Sequence, residues 1–224
     1  MRYSPIDFFR TSLLERFSCL NQRAARSDYV IDENNIFILN LESHGNYLWH
    51  SFYGKGDNND DTVQSSARGI AVNATGDIFV TGESNYSWHG PSGQNPLHAY
   101  PGTSSAVVLK VGSAGMYQWH AFYGTGSSGW GITLDHNNDA YITGYSNATW
   151  GNPFHPYIGG YNLFVLKLSG GGSYQWNTFY GADNSWWVSL GYGDYGSAIA
   201  IDNSGNIYST GYSSQTWNGG GLER

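Results

Sequence analysis

Two groups of side chains in this sequence have the types and spacing to do chemistry. Asp57, Asp60 and Asp61 share one short polar stretch, and carboxylates that close together supply the hard oxygen ligands a Ca²⁺ ion takes. The same triplet also reads as an ordinary solvated loop, and no other cofactor is expected. Trp130, Trp186, Trp187, Tyr192 and Tyr195 form the second group, set among Asn, Asp and Gly. Flat rings offer a carbohydrate or polypeptide ligand contact area at low entropic cost. Elsewhere the chemistry is thin. The seven histidines include no pair at zinc-ligand spacing. No nucleophile elbow, phosphate loop or paired acid and base is discernible. Cys19 is the only cysteine, so there is no intrachain disulfide framework and no cysteine metal site.

Charge narrows the partners. Residues 1–27 hold five arginines against Asp7 and Glu15, whereas the remainder has five basic and fifteen acidic residues. The acidic body argues against nucleic acid, because phosphate contacts need a basic face. An anionic substrate would also find few cations there. No apolar run approaches the ~18 residues of a membrane span.

The residues that position these groups repeat. Trp49-His50-Ser51-Phe52-Tyr53-Gly54 returns as Trp119-His120-Ala121-Phe122-Tyr123-Gly124 and as Trp176-Asn177-Thr178-Phe179-Tyr180-Gly181. Each follows a strand-like run (37–41, 107–111, 164–168) and a Gly-containing turn, which is the pattern of a hairpin. A second hairpin alternates with it. Gly69-Ile70-Ala71-Val72 turns into Ile78-Phe79-Val80-Thr81-Gly82, with copies at 131–144 and 198–211. Asp135 and Asp202 start these turns, where their side chains satisfy local backbone donors. Before the repeats, residues 4–26 read as an amphipathic helix with Ser4 as N-cap, Pro5 in the first turn and an apolar stripe of Phe9, Leu13, Phe17 and Leu20. Arg10, Glu15 and Arg16 interrupt the apolar core a secretory signal requires, so residues 1–30 contain no clear signal peptide.

Spacing decides the architecture. Trp49, Trp119 and Trp176 lie 70 and 57 residues apart, and Thr81, Thr143 and Thr210 lie 62 and 67 apart. Units of about sixty residues with four short strands predict an all-β chain, a β-propeller of four-stranded blades. The repeats span 36–219: a partial blade at 36–54, blades at 69–124 and 131–181, and a partial blade at 196–212. That is about three blades' worth of strands, and closed propellers have about four to eight. The propeller is therefore expected to be incomplete, either a portion of a longer repeat protein or a chain that self-associates through open blade edges.

The combination Gly-Ile-Ala-Val, Ile-Phe-Val-Thr-Gly, Val-Leu-Lys and Trp-x-x-Phe-Tyr-Gly, as at 69–124, resembles the bacterial SBBP-type β-propeller repeats. The resemblance implies a propeller of an extracellular or cell-surface protein, and it implies no general enzymatic activity. Small residues at 69–72 suit the channel strand of a blade. The long connections then share one face with Trp130, Trp186, Trp187, Tyr192 and Tyr195. Trp88, Trp150 and Trp217 recur at one loop position and are expected to wedge their loops against the next blade. The expected function is a non-catalytic binding or scaffold module for a protein or carbohydrate ligand. The alternative is a propeller-type glycosidase or lyase with acids grouped over the channel.

Overall fold

The computed structural model describes residues 34–55 and 64–217, with Trp187 and Val188 described by backbone alone. The expected helix over 4–26 and the Asp57, Asp60 and Asp61 triplet lie outside those residues. Hairpin β1 (Ile36–Leu41) and β2 (Tyr47–Tyr53) comes first. Strands β3 (Ser65–Val72), β4 (Ile78–Ser84), β5 (Ser105–Val111) and β6 (Tyr117–Tyr123) follow as one antiparallel meander. A second meander holds β7 (Ser127–Leu134), β8 (Ala140–Ser146), β9 (Asn162–Leu168) and β10 (Tyr174–Tyr180). Hairpin β11 (Asp194–Ile201) and β12 (Ile207–Ser213) comes last. The architecture is thus all-β: two complete blades between an outer half-blade and an inner half-blade, with no closed sheet among the described residues.

Strand alternation builds two cores. One face of the first complete blade puts Val107, Leu109, Val111 and Phe122 against Ile36, Ile38 and Tyr53 of β1–β2. Its other face puts Val108, Trp119, Ala121 and Tyr123 against Phe164, Leu166, Leu168 and Phe179 of the second blade. Trp119 and Tyr123 therefore share one side while Phe122 takes the other, as the period of two requires. The inner turns are held as expected. Asp135 Oδ1 accepts from the backbone of Asn137 at 2.8 Å and Asp139 at 2.9 Å, and Asp202 Oδ1 repeats this with Ser204 and Asn206.

The inner strands start earlier than the apolar pattern indicates. β3, β7 and β11 begin at Ser65, Ser127 and Asp194, upstream of 69, 131 and 198. Their first turns of pairing are polar, with Ser65 Oγ 2.8 Å from Ser84 Oγ and Ser127 Oγ donating to Ser146 Oγ at 2.7 Å. Hydroxyl pairs hold a buried strand end without an apolar signature. Each of these strands then slips register by one residue, between Ala67 and Gly69, Gly129 and Gly131, and Gly196 and Ala198. The bulges leave Arg68, Trp130 and Ser197 out of the ladder.

Inner strands of neighbouring sheets approach closely. A Cβ on Gly69 would stand 2.8 Å from the Trp130 carbonyl oxygen, and one on Gly131 2.9 Å from Ala198 Cα. The outer strands are joined by the Trp-x-x-Phe-Tyr motif. Trp49 lies against Gly115 and Trp119 against Gly172, the left-handed turn glycines of the following blade (φ 80° and 85°). Tyr53 and Tyr123 donate their hydroxyls to those same glycine carbonyls, at 3.1 and 3.4 Å.

Candidate functional site

The bulge residues govern what the inner rim presents. Trp130 leaves the ladder at the β7 bulge, half-buried, and its indole Nε1 donates to Ser128 Oγ at 3.0 Å. Around it stand Tyr195 at 5.9 Å and 25°, Tyr145 at 5.5 Å and 90°, and Tyr212 at 6.3 Å. Tyr195 is the hub. It stacks on Tyr212 at 4.5 Å and 18° and on Tyr161 at 5.5 Å, and meets Tyr145 at 4.9 Å. Arg68, the bulge residue of β3, places its guanidinium 5.3 Å from the Trp130 ring centroid and 3.9 Å from the Glu83 carboxylate. The cluster thus has five rings, a cation on the indole face, and an acid beside the cation.

The phenols stay protonated. Burial, with Glu83 and neighbouring tyrosines adding to it, pushes Tyr145 up to about 12. Burial and then the Tyr212 and Tyr161 rings push Tyr195 up to about 12 as well. Neutral phenols in this range donate and accept hydrogen bonds and do not serve as bases near neutral pH. What the rim offers is stacking area, hydroxyls and a guanidinium.

The structure brings two of the expected site residues together, Trp130 and Tyr195. Trp186 stands 89% exposed on a 3₁₀ turn, Ser185–Leu190, and is not one of the rings around Trp130. Tyr192 follows that turn and is exposed, and the Trp187 side chain lies outside the described residues. Sequence reasoning missed Tyr145, Tyr161, Tyr212, Arg68 and Glu83. A signal existed in the repeats: the aligned triplet Arg68, Trp130, Ser197 differs in every unit, and the triplets Ser66, Ser128, Tyr195 and Glu83, Tyr145, Tyr212 each differ in one unit.

The recurring loop aromatics are structural, but they wedge toward the preceding unit, not the next. Trp88 is buried in the core shared with β1–β2, stacked at 3.7 Å and 6° on His120 of its own blade. Trp150 meets Tyr123 of the preceding blade as well as Phe164 and Phe179. Asp194, a buried acid on β11, is likewise absorbed by structure. It accepts from the Ala182 amide at 2.8 Å and Asn184 Nδ2 at 2.9 Å, and from the Ser213 hydroxyl. Among the described residues no group of three or more His, Cys, Asp or Glu could hold a metal ion.

Residues 188–215, which contain β11, its turn and β12, match the family model described as beta-propeller repeat, SBBP. Over 122 residues, 49% of this chain, the sequence is 30% identical to an uncharacterized WD repeat-containing protein of Acanthamoeba polyphaga mimivirus. The matched portion is 8% of that protein's length. The repeat type and the all-β blades agree with the propeller resemblance read from the motifs.

Proposed function

We propose that this chain is a non-catalytic interaction module of an extracellular or cell-surface protein, engaging a protein or glycan ligand on the rim around Trp130. The carrying observation is the placement of Trp130, Tyr195 and Tyr212, three stacked or tilted rings at positions where the repeats differ. A ring held by its neighbours and partly open loses little freedom on binding, so its contact area converts efficiently into affinity. The Arg68 guanidinium and the tyrosine hydroxyls supply orientation at the edge of that apolar floor. The propeller-repeat match and the WD repeat-containing relative support a scaffold role.

The test is intrinsic fluorescence titration of the full chain against a panel of oligosaccharides and extracellular matrix proteins, repeated with Trp130→Phe. A ligand that quenches emission in the wild type and loses most of that quenching and affinity in Trp130→Phe supports the reading. Binding that is equally tight in Trp130→Phe and Tyr212→Ala places the ligand elsewhere and overturns it.

A further inference from the structure

We propose that the ligand of the Trp130 rim is a glycan carrying a uronic acid, its carboxylate taken by the Arg68 guanidinium and its sugar ring laid against the surrounding rings. This rests on the rim being the binding surface, and it adds the chemical class that the rim selects. Every group it uses lies within 65–180, the span of the two complete blades.

Arg68 is oriented without being used up. Its guanidinium lies 5.3 Å from the Trp130 ring centroid, and an aromatic face holds the planar group while leaving its edge donors free. The acid beside it does not fill that edge. Glu83 Oε2 stands 3.9 Å from Arg68 Nη2, beyond hydrogen-bond length, while Glu83 Oε1 accepts from the Ser104 hydroxyl. That carboxylate is thus tied back onto its own blade. The lysine pairs of the same blades are direct by contrast, Lys110 with Asp77 at 3.1 Å and Lys167 with Asp139 at 2.9 Å. No hydrogen bond to the Arg68 guanidinium occurs among the described residues.

The neighbouring hydroxyls tilt the balance the same way. Tyr145 and Tyr161 meet edge to face at 5.4 Å, and neither phenol has a hydrogen-bond partner among the described residues. Burial, then Glu83 and Tyr161, keep the Tyr145 phenol protonated against the opposing pull of Arg68, so it stands within reach of both charges as a donor. The acceptors nearby are engaged, Ser128 Oγ by the Trp130 indole at 3.0 Å and Glu83 by Ser104. Donors therefore outnumber acceptors, and a ligand must bring oxygens of its own. A carboxylate meets a guanidinium through two parallel charge-assisted bonds. Arg68 is the only arginine among the described residues, and residues 28–224 hold five basic against fifteen acidic side chains. One singly charged carboxylate suits that setting, and a phosphate or a polyanion does not.

The rings decide between a sugar and an acidic side chain. Trp130, Tyr145 and Tyr161 are each half-buried, a floor wider than the carbons of an aspartate or glutamate can cover. A pyranose has an apolar face for that floor and hydroxyls that accept from the free phenols.

The test is saturation-transfer NMR and tryptophan-emission titration of the full 224-residue chain. The probes are the methyl glycosides of glucuronic, galacturonic and mannuronic acids, each beside its neutral hexose counterpart. At least one uronide should bind about tenfold or more tighter than its neutral counterpart. Arg68→Gln should bring that ratio to about one, and Arg68→Lys, which keeps the charge but lacks the fork, should lose most of it. Glu83→Gln removes the competing carboxylate and should tighten the uronide about threefold, a readout that remains if an Arg68 variant fails to fold. Equal binding of acid and neutral sugars overturns the proposal, while an affinity that still depends on Trp130 leaves the rim reading standing. Absence of uronide binding, a ratio that survives Arg68→Gln, or tighter binding of N-acetyl-glutamate amide overturns it as well.

Discussion

His120 should make the fold acid-labile in a defined window. Its imidazole is fully buried, lies 3.7 Å under Trp88, and has both nitrogens engaged. Nε2 sits 3.1 Å from the Trp88 carbonyl oxygen, which can only accept, so Nε2 carries the proton and Nδ1 accepts from the Tyr117 hydroxyl at 2.7 Å. A second proton would be buried without a counter-charge. Burial therefore lowers His120 to about 4, with the Trp88 carbonyl opposing the shift and His89 adding to it. An unfolded histidine titrates at about 6.5. Between those values the unfolded chain binds a proton that the folded chain refuses, so stability is full above the upper value and is lost as pH falls through the lower one. At about 1.4 kcal/mol per pH unit the loss amounts to about 3 kcal/mol. His120→Asn is the control, because Asn177 already fills the same position, accepting from Tyr174 at 2.6 Å and donating to the Trp150 carbonyl at 3.1 Å. That variant should lose about 2 kcal/mol near neutral pH from ring packing, and it should overtake the wild type as pH nears 4. Urea unfolding followed by tryptophan emission from about pH 7.5 to about pH 4 measures both. If the two proteins lose equal stability over that range, His120 does not carry the effect and the reasoning fails.

Gly172→Ala should cost about 3 kcal/mol, from a left-handed backbone and a Cβ pressed to 2.9 Å from the Trp119 ring. Gly45→Ala, with the same φ of +85° but open space, should cost only about 1 kcal/mol in the single chain; thermal melts of the pair separate clamp from backbone strain. Asp194→Ala removes the acceptor of three donors at the start of β11 and should destabilise by about 3 kcal/mol, read as a lower urea midpoint at unchanged slope.

The two hairpin types and their alternation were legible because 107–111 and 164–168 are apolar on both faces and end at turn glycines. The starts of β3, β7 and β11 were not, since Ser65 and Ser127 are buried through hydroxyl pairing that leaves no period in the sequence. The common side of Trp119 and Tyr123 followed from strand period alone, yet their shared target, Gly172, did not. That contact crosses between blades, and no local pattern reports it. His120 was likewise unreadable: its role becomes clear only beside Asn177, which makes the same two bonds with different chemistry. At the rim, Trp130 and Tyr195 were among the expected site residues, whereas Tyr145 and Tyr212 follow the Thr-Gly ends of the repeated pattern, and only the structure extends β8 and β12 over them.

The bulges explain why the rim is where the repeats are free to differ. A position in either core is constrained from both sides, so 107 and 164, or 109 and 166, can exchange only apolar residues of similar volume. Gly82, Gly144 and Gly211 are fixed too, because a Cβ there would meet the backbone oxygen of the adjacent inner strand at under 2 Å. The residue pushed out by each bulge pairs with no partner in the ladder and lies in neither core. Folding thus leaves its identity open, and in this chain it is Arg68, Trp130 and Ser197 in turn. Three chemistries at one geometric position, each on a strand held by its neighbours, make a surface whose chemistry can change without altering a core contact. The Trp-x-x-Phe-Tyr clamp then supplies the rigidity, and the bulge supplies the choice.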